Sequence, residues 1–246
     1  MKAVILSAGQ GKRLLPLTQD QPKCTIPIHG RSILEWQIAE LIKFDISPIH
    51  VVVGFGASRV EQVLAAHSRG HAIHTLYNPF YAMADNLISC WTVRNEMTED
   101  FILLNGDTVF ESAVLERLLQ APPAPITLVT DEKQKYDADD MKVIVQGTQL
   151  VRIGKTLAPE TVNGESIGMI RFQHEGPQLF CSTIERRIRQ PESLKQWYLS
   201  LIDELAPQGH VSTVSIKGLT WAEIDNPEDL QHAETLLKPF VPSLPL

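Results

Sequence analysis

Residues 1–24 read MKAVILSAGQGKRLLPLTQDQPKC. Ala3–Leu6 is a short apolar run of the kind that forms a buried strand. It breaks into Ser7-Ala8-Gly9-Gln10-Gly11-Lys12-Arg13, a glycine-punctuated turn with two adjacent cations. Glycine lets backbone N–H groups approach a ligand with no Cβ in the way. Successive N–H groups in such a turn make an anion nest, to which Lys12, Arg13 and the later Lys23 add full charge. Leu6 to Arg13 is therefore expected to hold the phosphates of a nucleoside triphosphate. The spacing excludes two common phosphate loops. Arg13 follows Gly11-Lys12 where a Walker loop needs Ser or Thr, and Leu14 stands where a dinucleotide fingerprint has its third glycine. Ser7 has no base partner in the pattern and reads as a loop hydrogen-bonder, not a nucleophile.

The chain has 246 residues, 43% of them hydrophobic, enough to bury one large core or two small ones. Its formal charge of −7, from 22 basic and 29 acidic residues, disfavours a general nucleic-acid partner. Cys24, Cys90 and Cys181 are widely spaced, odd in number and in no metal-like pairing, which suits reduced thiols in a cytoplasm. The apolar run after Lys2 is too short for a signal peptide, and no later run approaches a membrane span. A cytoplasmic protein with no membrane partner is expected.

Along the chain, Ser32 with Glu35 makes a capping-box pattern before a helix over Ile33–Phe44. Ile49–Val53 reads as a strand, Ser58–His67 as a helix and Ile73–Tyr77 as a strand. A helix follows over Asn86–Glu96, then a strand over Phe101–Leu104 and a helix over Ser112–Gln120. This β-α alternation predicts a mostly parallel sheet covered by helices on both faces. The second half changes character. Ile126–Thr130 is a core strand, Lys142–Val145 and Leu150–Ile153 form a hairpin, and Ser166–Phe172 is another strand. Helices are expected near Pro177–Arg189 and Ser193–Leu205, with short strands at Val211–Ile216 and Leu219–Ile224. Asn226-Pro227 caps a last helix running to about Leu237. With no repeat and no flexible linker, residues 1–246 read as one domain.

Asp107 follows Gly106 just past the carboxyl end of a core strand, where open α/β sheets place their ligands. Gly106 permits close approach of a phosphate. In Trp221-Ala-Glu-Ile-Asp225, an extended segment, Glu223 and Asp225 share one face. Carboxylates from two distant strands are what a hard divalent cation needs when it also holds phosphate oxygens. Asp107 and Asp225 are the candidate Mg²⁺ ligands; Glu223 could equally be a salt-bridge partner. His67, His71 and His74 lack metal-ligand spacing.

The pattern L-S-A-G-x-G-x-R, then Pro22-Lys23, then N-G-D at 105–107 and E-I-D at 223–225 resembles the nucleotidyltransferases that make NDP-sugars and CDP-alcohols. The resemblance spans Lys2 to about Leu237, with the CTP:phosphocholine cytidylyltransferase subgroup the nearest in pattern. It implies a Rossmann-like three-layer α/β fold with a mixed, mostly parallel sheet, the nucleotide-diphospho-sugar transferase (GT-A-like) fold. It further implies Mg²⁺ on Asp107 and Asp225, and a catalytic Lys23 touching the α-phosphate or the incoming phosphate. Arg13 then joins Lys23 in neutralising charge. Asn78, Asp85 and Asn86 match the stretch that contacts the base, which the residues alone read only as a turn and a helix cap. Glu165 and Gly168 match an acceptor-lining segment; a strand entry with a turn is the alternative.

For the acceptor, the chain offers Tyr81, Trp91, Tyr136, Trp197, Tyr198 and Trp221 as aromatic faces, with Asp137, Asp139 and Asp140 nearby in sequence. Core packing is the alternative role for most of these rings. Lys142, after the acidic run, suits an anionic group on the acceptor. Lys23, Asp140, Lys142, Glu165, Gly168, Tyr198 and Glu223 are the candidate acceptor contacts. The expected function is cytidylyl transfer from CTP to a small phosphorylated or phosphonylated acceptor, with release of pyrophosphate. A hexose-1-phosphate nucleotidyltransferase using UTP or dTTP and a non-catalytic nucleotide-binding module remain open. A homodimer is an open assembly.

Overall fold

A computed structural model of the chain describes residues 1–67 and 70–243. In chain order the strands are β1 (Lys2–Ser7), β2 (Pro27–Ile28), β3 (Arg31–Ser32), β4 (Ile49–Val53), β5 (Ile73–Tyr77), β6 (Phe101–Asn105) and β7 (Thr108–Phe110). They continue as β8 (Ile126–Asp131), β9 (Lys142–Gln146), β10 (Gln149–Gly154), β11 (Gly164–Phe172), β12 (Val211–Ser215) and β13 (Trp221–Glu223). The helices are α1 (Ile33–Lys43), α2 (Ala57–His67), α3 (Asn86–Val93), α4 (Ser112–Gln120), α5 (Gly176–Arg187), α6 (Leu199–Leu205) and α7 (Pro227–Leu237).

Nine strands from both halves of the chain share one sheet, in the order β5-β4-β1-β6-β11-β8-β12-β10-β9. The first four are mutually parallel. β11 runs antiparallel to both β6 and β8, and β12 lies parallel to β8. The first residues of β11 also pair with β9, Gly164 opposite Val143, so this end of the sheet curls back on itself.

The parallel strands are apolar on both faces because both faces are covered. Val4, Val52, Phe101 and Leu103 pack on the side of α3, α5 and α6. Ala3, Ile5, Val51, Ile102 and Leu104 point the other way, under α1, α2 and α4. That alternation makes the α/β/α three-layer arrangement. A smaller core of Ile26, Ile28, Val109, Ile224 and Leu237 seats α7 beside α1. Both helix caps read from sequence are present: Glu35 N donates to Ser32 Oγ (3.2 Å) and Asp229 N to Asn226 Oδ1 (2.9 Å).

Three expectations are corrected. The helix from Asn86 stops at Val93 and tightens into a 3-10 turn over Arg94–Glu96. No single helix spans Ser193–Leu205: a 3-10 turn (Pro191–Lys195) and α6 are separated by Gln196-Trp197-Tyr198. The segment near Leu219–Ile224 does not join the main sheet but pairs, as β13, with β7, a strand too short to show in the sequence. No helix among the described residues is long and apolar enough to cross a membrane.

The aromatic stack on the α3/α5 side ties the two halves together. Phe172 of β11 lies 4.5 Å from Phe101 of β6 and 4.7 Å from Phe180 of α5, centroid to centroid. All three rings are fully buried. Phe172→Ala should cost about 3–5 kcal/mol through lost burial and the cavity left behind. Urea denaturation checks this; a loss below about 1 kcal/mol would mean that the stack is not a keystone of the core.

Candidate active site

The site lies at the carboxyl ends of β1 and β6. From β1 the chain passes through Ala8–Gly11 into a 3-10 turn over Lys12–Leu14. Thr18 staples this loop, its hydroxyl donating to Gly11 O (2.8 Å) while Gln10 Nε2 donates to Thr18 O (3.2 Å). Gly11 has φ 76°, and a Cβ there would meet Lys23 Cβ at 2.8 Å, so loop and lysine fit only with glycine. Gly106 is as constrained: a Cβ on it would run into Ser7 Oγ and Leu6 O.

The ladder between β7 and β13 brings the distant carboxylates together. Thr108 pairs with Glu223, and Ile224 N donates to Asp107 O (3.0 Å), so Asp107 and Asp225 flank the same end. Asp229 Oδ2 accepts from the backbone N–H groups of Asp225 and Asn226 and fixes that corner. Gln37 Nε2, from α1, donates to Asn105 O and Thr108 O on either side of Asp107.

Lys23 enters this corner from its own 3-10 turn. Its Nζ lies 2.8 Å from Asp107 Oδ2 and 2.5 Å from Asp225 Oδ1. Arg13 adds Nη2 at 2.6 Å from Asp225 Oδ2 and Nη1 at 2.8 Å from Asp139 Oδ2. Burial works to lower the Lys23 pKa, but the two aspartates outweigh it and the ammonium is held above its ordinary value. Burial likewise pushes Asp225 up, and Lys23 and Arg13 more than reverse it. Glu223 has no such partner. Its surface touches cleft solvent, yet surrounding protein leaves it poorly hydrated, and that desolvation with Asp107 and Asp225 beside it pushes its carboxyl up to about 8.

These residues fit a divalent cation. Asp107, Glu223 and Asp225 each offer an oxygen within 4.8 Å of the others, and Asp107 Oδ1 is buried without a hydrogen-bond partner. An unpaired buried carboxylate oxygen is costly in a protein and natural at a metal.

Three connected spaces surround the corner. One, of about 220 Å³, is lined by Leu6, Ser7, Gly9, Gly11, Asn86 and Gly106, among others. A second of about 220 Å³ shares Asn86, Asn105 and Asp107 with it and is walled by Arg13, Lys155, Gly168 and Trp197. A third, of about 370 Å³, lies beyond Arg13 and includes Asp140 and Glu165. Burial, with Asp140 adding, pushes Glu165 up to about 7 although Lys133 Nζ sits 3.0 Å away.

Other expected site residues fall outside these spaces. Ala8 is buried beneath the loop and Lys12 stands exposed at its tip. Asn78 is buried, donating to Ser89 Oγ and accepting from Phe80 N, so it shapes the loop before α3 and offers nothing to a base. Asp85 begins α3 without a side-chain cap. Tyr198 is fully buried and not an acceptor contact; its OH donates to Asn105 Oδ1 and its N–H to Asn86 Oδ1, so it orients two lining residues. Lys142 is turned away from the cleft, its ammonium bound to the carbonyls of Lys155 (3.0 Å) and Asp140 (3.4 Å). The aromatic residues form no cage: Trp91 stacks on Arg94, Trp221 donates to Asp131 in the third space, and Trp197 alone among them lines the second. Lys155 carried no sequence signal, and Asn105 could have been suspected from its place before Gly106-Asp107.

Residues 3–207 match the family described as the MobA-like NTP transferase domain. The chain belongs to this family. Among curated proteins it is similar to the CMP-5'-(3-aminopropyl)phosphonate synthase of Streptomyces rubellomurinus, 29% identical over 97% of this chain and 39% of that protein. The chain thus spans about two fifths of that relative's length. It is also similar to the CTP:phosphoglutamine cytidylyltransferase of Campylobacter jejuni, 25% identical over 94% of this chain and 98% of the relative. Among solved structures, the inositol-1-phosphate CTP transferase from T. maritima superposes with a TM-score of 0.84 at 21% identity, covering 100% of this chain and 98% of that one. That likeness establishes the α/β/α fold of this chain.

In this family member Lys23 already holds two of the three carboxylates that a divalent cation would use. Lys23→Met should lose about 1.5–3 kcal/mol in metal-free buffer, because charged hydrogen bonds go and like charges are left facing one another. Added Mg²⁺ should then raise the melting temperature of Lys23→Met more than that of the wild type. Equal Mg²⁺ shifts in the two proteins would mean that lysine and ion do not share these groups.

Proposed function

We propose that the chain is a CTP-dependent nucleotidyltransferase acting on a small acceptor that bears a phosphate or phosphonate. The observation that carries the reading is the meeting of Lys23 and Arg13 with Asp107, Glu223 and Asp225 at the mouth of the glycine loop. Support for CTP comes from the two curated relatives that align along 94–97% of the chain, both named for CMP or CTP chemistry. The reading as a working enzyme is preferred to a regulatory module because the loop cations and the acidic cluster are all retained.

An oxygen of the acceptor's phosphate attacks the α-phosphorus of CTP in line. The new P–O bond forms as the bond from the α-phosphorus to the bridging oxygen breaks, and pyrophosphate leaves with that electron pair. A phosphate nucleophile is already ionised at neutral pH, so no side chain has to take a proton. Backbone N–H groups of Ala8–Gly11 and the Arg13 guanidinium hold the β- and γ-phosphates. Lys23 meets the charge that grows at the α-phosphate. Mg²⁺, held by Asp107 and Asp225 with Glu223 beside them, would neutralise triphosphate charge when bound. The N-terminal half holds the nucleotide, the C-terminal half holds most of the acceptor, and both act as one catalytic unit.

Pyrophosphate release, screened with four NTPs against phosphorylated alcohols, aminoalkylphosphonates and sugar phosphates, tests the reaction. CTP should lead, and UTP or dTTP with a sugar phosphate leading instead would overturn the assignment. Asp107→Ala and Asp225→Ala should each lower kcat by about a hundredfold or more while the protein stays folded, by analogy with loss of a transition-state stabiliser. Lys23→Ala should lower kcat and kcat/KM together; a raised KM for CTP with unchanged kcat would place Lys23 in ground-state binding.

A further inference from the structure

We propose that Lys155, seated on Trp197, reads an anionic group at the far end of the acceptor, so that the acceptor carries a carboxylate-type group besides its phosphate and a trimethylammonium group is excluded. This rests on the cytidylyl-transfer reading above.

Lys155 lies in the turn after β10, and its Nζ sits 4.4 Å from the centroid of the Trp197 ring. That face is the one aromatic surface among the described residues lining the second space. An indole face attracts one cation, and here the protein's own ammonium takes the place a ligand ammonium would need. A second cation brought to the same ring would meet repulsion from the first. An anion arriving there meets a charge already fixed in place.

The fixing is visible on two sides. Buried Lys142 donates from Nζ to the Lys155 carbonyl at 3.0 Å and anchors the turn from behind. In front, Lys155 has a loose counter-ion in Asp139 Oδ1 at 3.6 Å, and Asp139 is held more tightly by Arg13 at 2.8 Å. One carboxylate is thus shared by two cations, Glu223 across the same space feels Lys155 without an ion-pair contact to it, and the three-donor ammonium is left with capacity for another acceptor of hydrogen bonds. Arg13, with Lys23 behind Asp107 and Asp225, offers the positive charge for the acceptor's phosphate at one end of this space, and Lys155 stands on the wall that its other end would meet. Lys142, whose charge never reaches the cleft, is a positioning residue for this contact.

O-phosphoserine and O-phosphoethanolamine differ only in the carboxylate, and phosphocholine adds three methyl groups to the latter. With Mg²⁺ and CTP, wild-type kcat/KM should favour O-phosphoserine over O-phosphoethanolamine by about tenfold or more, a single charge-assisted contact, with phosphocholine the poorest. Lys155→Met should bring the serine-to-ethanolamine ratio to near one, and Lys155→Arg should keep most of it. A structural role alone would lower both acceptors equally. Calorimetric affinities for the same acceptors, measured beside a non-hydrolysable CTP analogue, should follow the same ratios. No preference in the wild type, an unchanged ratio in Lys155→Met, or phosphocholine as the best acceptor would overturn the proposal. A carboxylate preference in binding without pyrophosphate release from any NTP would instead count against cytidylyl transfer.

Discussion

The structure turns on one buried ammonium. Lys23 Nζ bridges Asp107 and Asp225, which come from the end of β6 and the end of β13 and lie 118 residues apart in the chain (225 − 107). A buried cation persists only if its partners are close and fixed, and each partner here has its own brace. Gln37 holds the backbone around Asp107, and Asp229 holds the backbone at Asp225. Gly11 yields the room that the lysine stem occupies. The phosphate loop, the central sheet and the C-terminal helix are thus locked to one charge.

The balance at this corner accounts for the form of the chemistry proposed for it. Three carboxylates face Lys23 and Arg13; Asp107 Oδ1 has no hydrogen-bond partner, and Glu223 feels Lys23 and Lys155 too weakly to offset its burial beside Asp107 and Asp225. On the reading proposed above, such a set would take a divalent ion together with a polyphosphate that uses both the ion and the freed basic groups. Catalysis in this arrangement is a matter of charge and position. A nucleophile that arrives ionised needs neither a histidine base nor an activated serine, consistent with the lack of a base beside Ser7 among the described residues.

What could be read in the sequence followed from local rules. The strand before the glycine loop, the capping box at Ser32, the cap at Asn226, the hairpin around Gly147 and the alternation of the first half all depend on neighbours within a few residues. Asp107 and Asp225 stood out because each ends an extended run. The misreadings have a common cause in contacts made over long distances. β7 is three residues long and exists as a strand because β13 comes back to pair with it. Leu194 to Leu205 has helical spacing, but Asn86 Oδ1 and the Leu87 N–H bind the backbone of Tyr198 and Gln196 and break the helix there. Lys142, after an acidic run, reads as a contact for an anionic group on the acceptor, whereas the curl of β9 against β11 buries it. Lys155 lies in an unremarkable turn, and only folding sets it over Trp197.

The same division, between parts defined by backbone and parts defined by side chains, separates the two ends of the cleft. The end proposed for the nucleotide is made of strand termini, loop N–H groups and two glycines, Gly11 and Gly106, where a Cβ would strike Lys23 or Ser7 and Leu6. It has little freedom to change. The end proposed for the acceptor is lined by Asp139 in the loop before β9, Lys155 in the turn after β10 and Trp197 in the break before α6. None of the three lies in the interior of a strand or helix, so each can be exchanged with little effect on the core. Gly168 is the exception that joins the two ends. Its φ of 73° falls in the register shift of β11 against β8, one residue before the pairing with β6 begins, and a Cβ there would strike the Asn105 side chain that Tyr198 orients. The bend that opens the acceptor space is therefore fixed by the nucleotide end, while what lines that space is left to loops, which lets one scaffold keep its phosphate chemistry while its cargo changes.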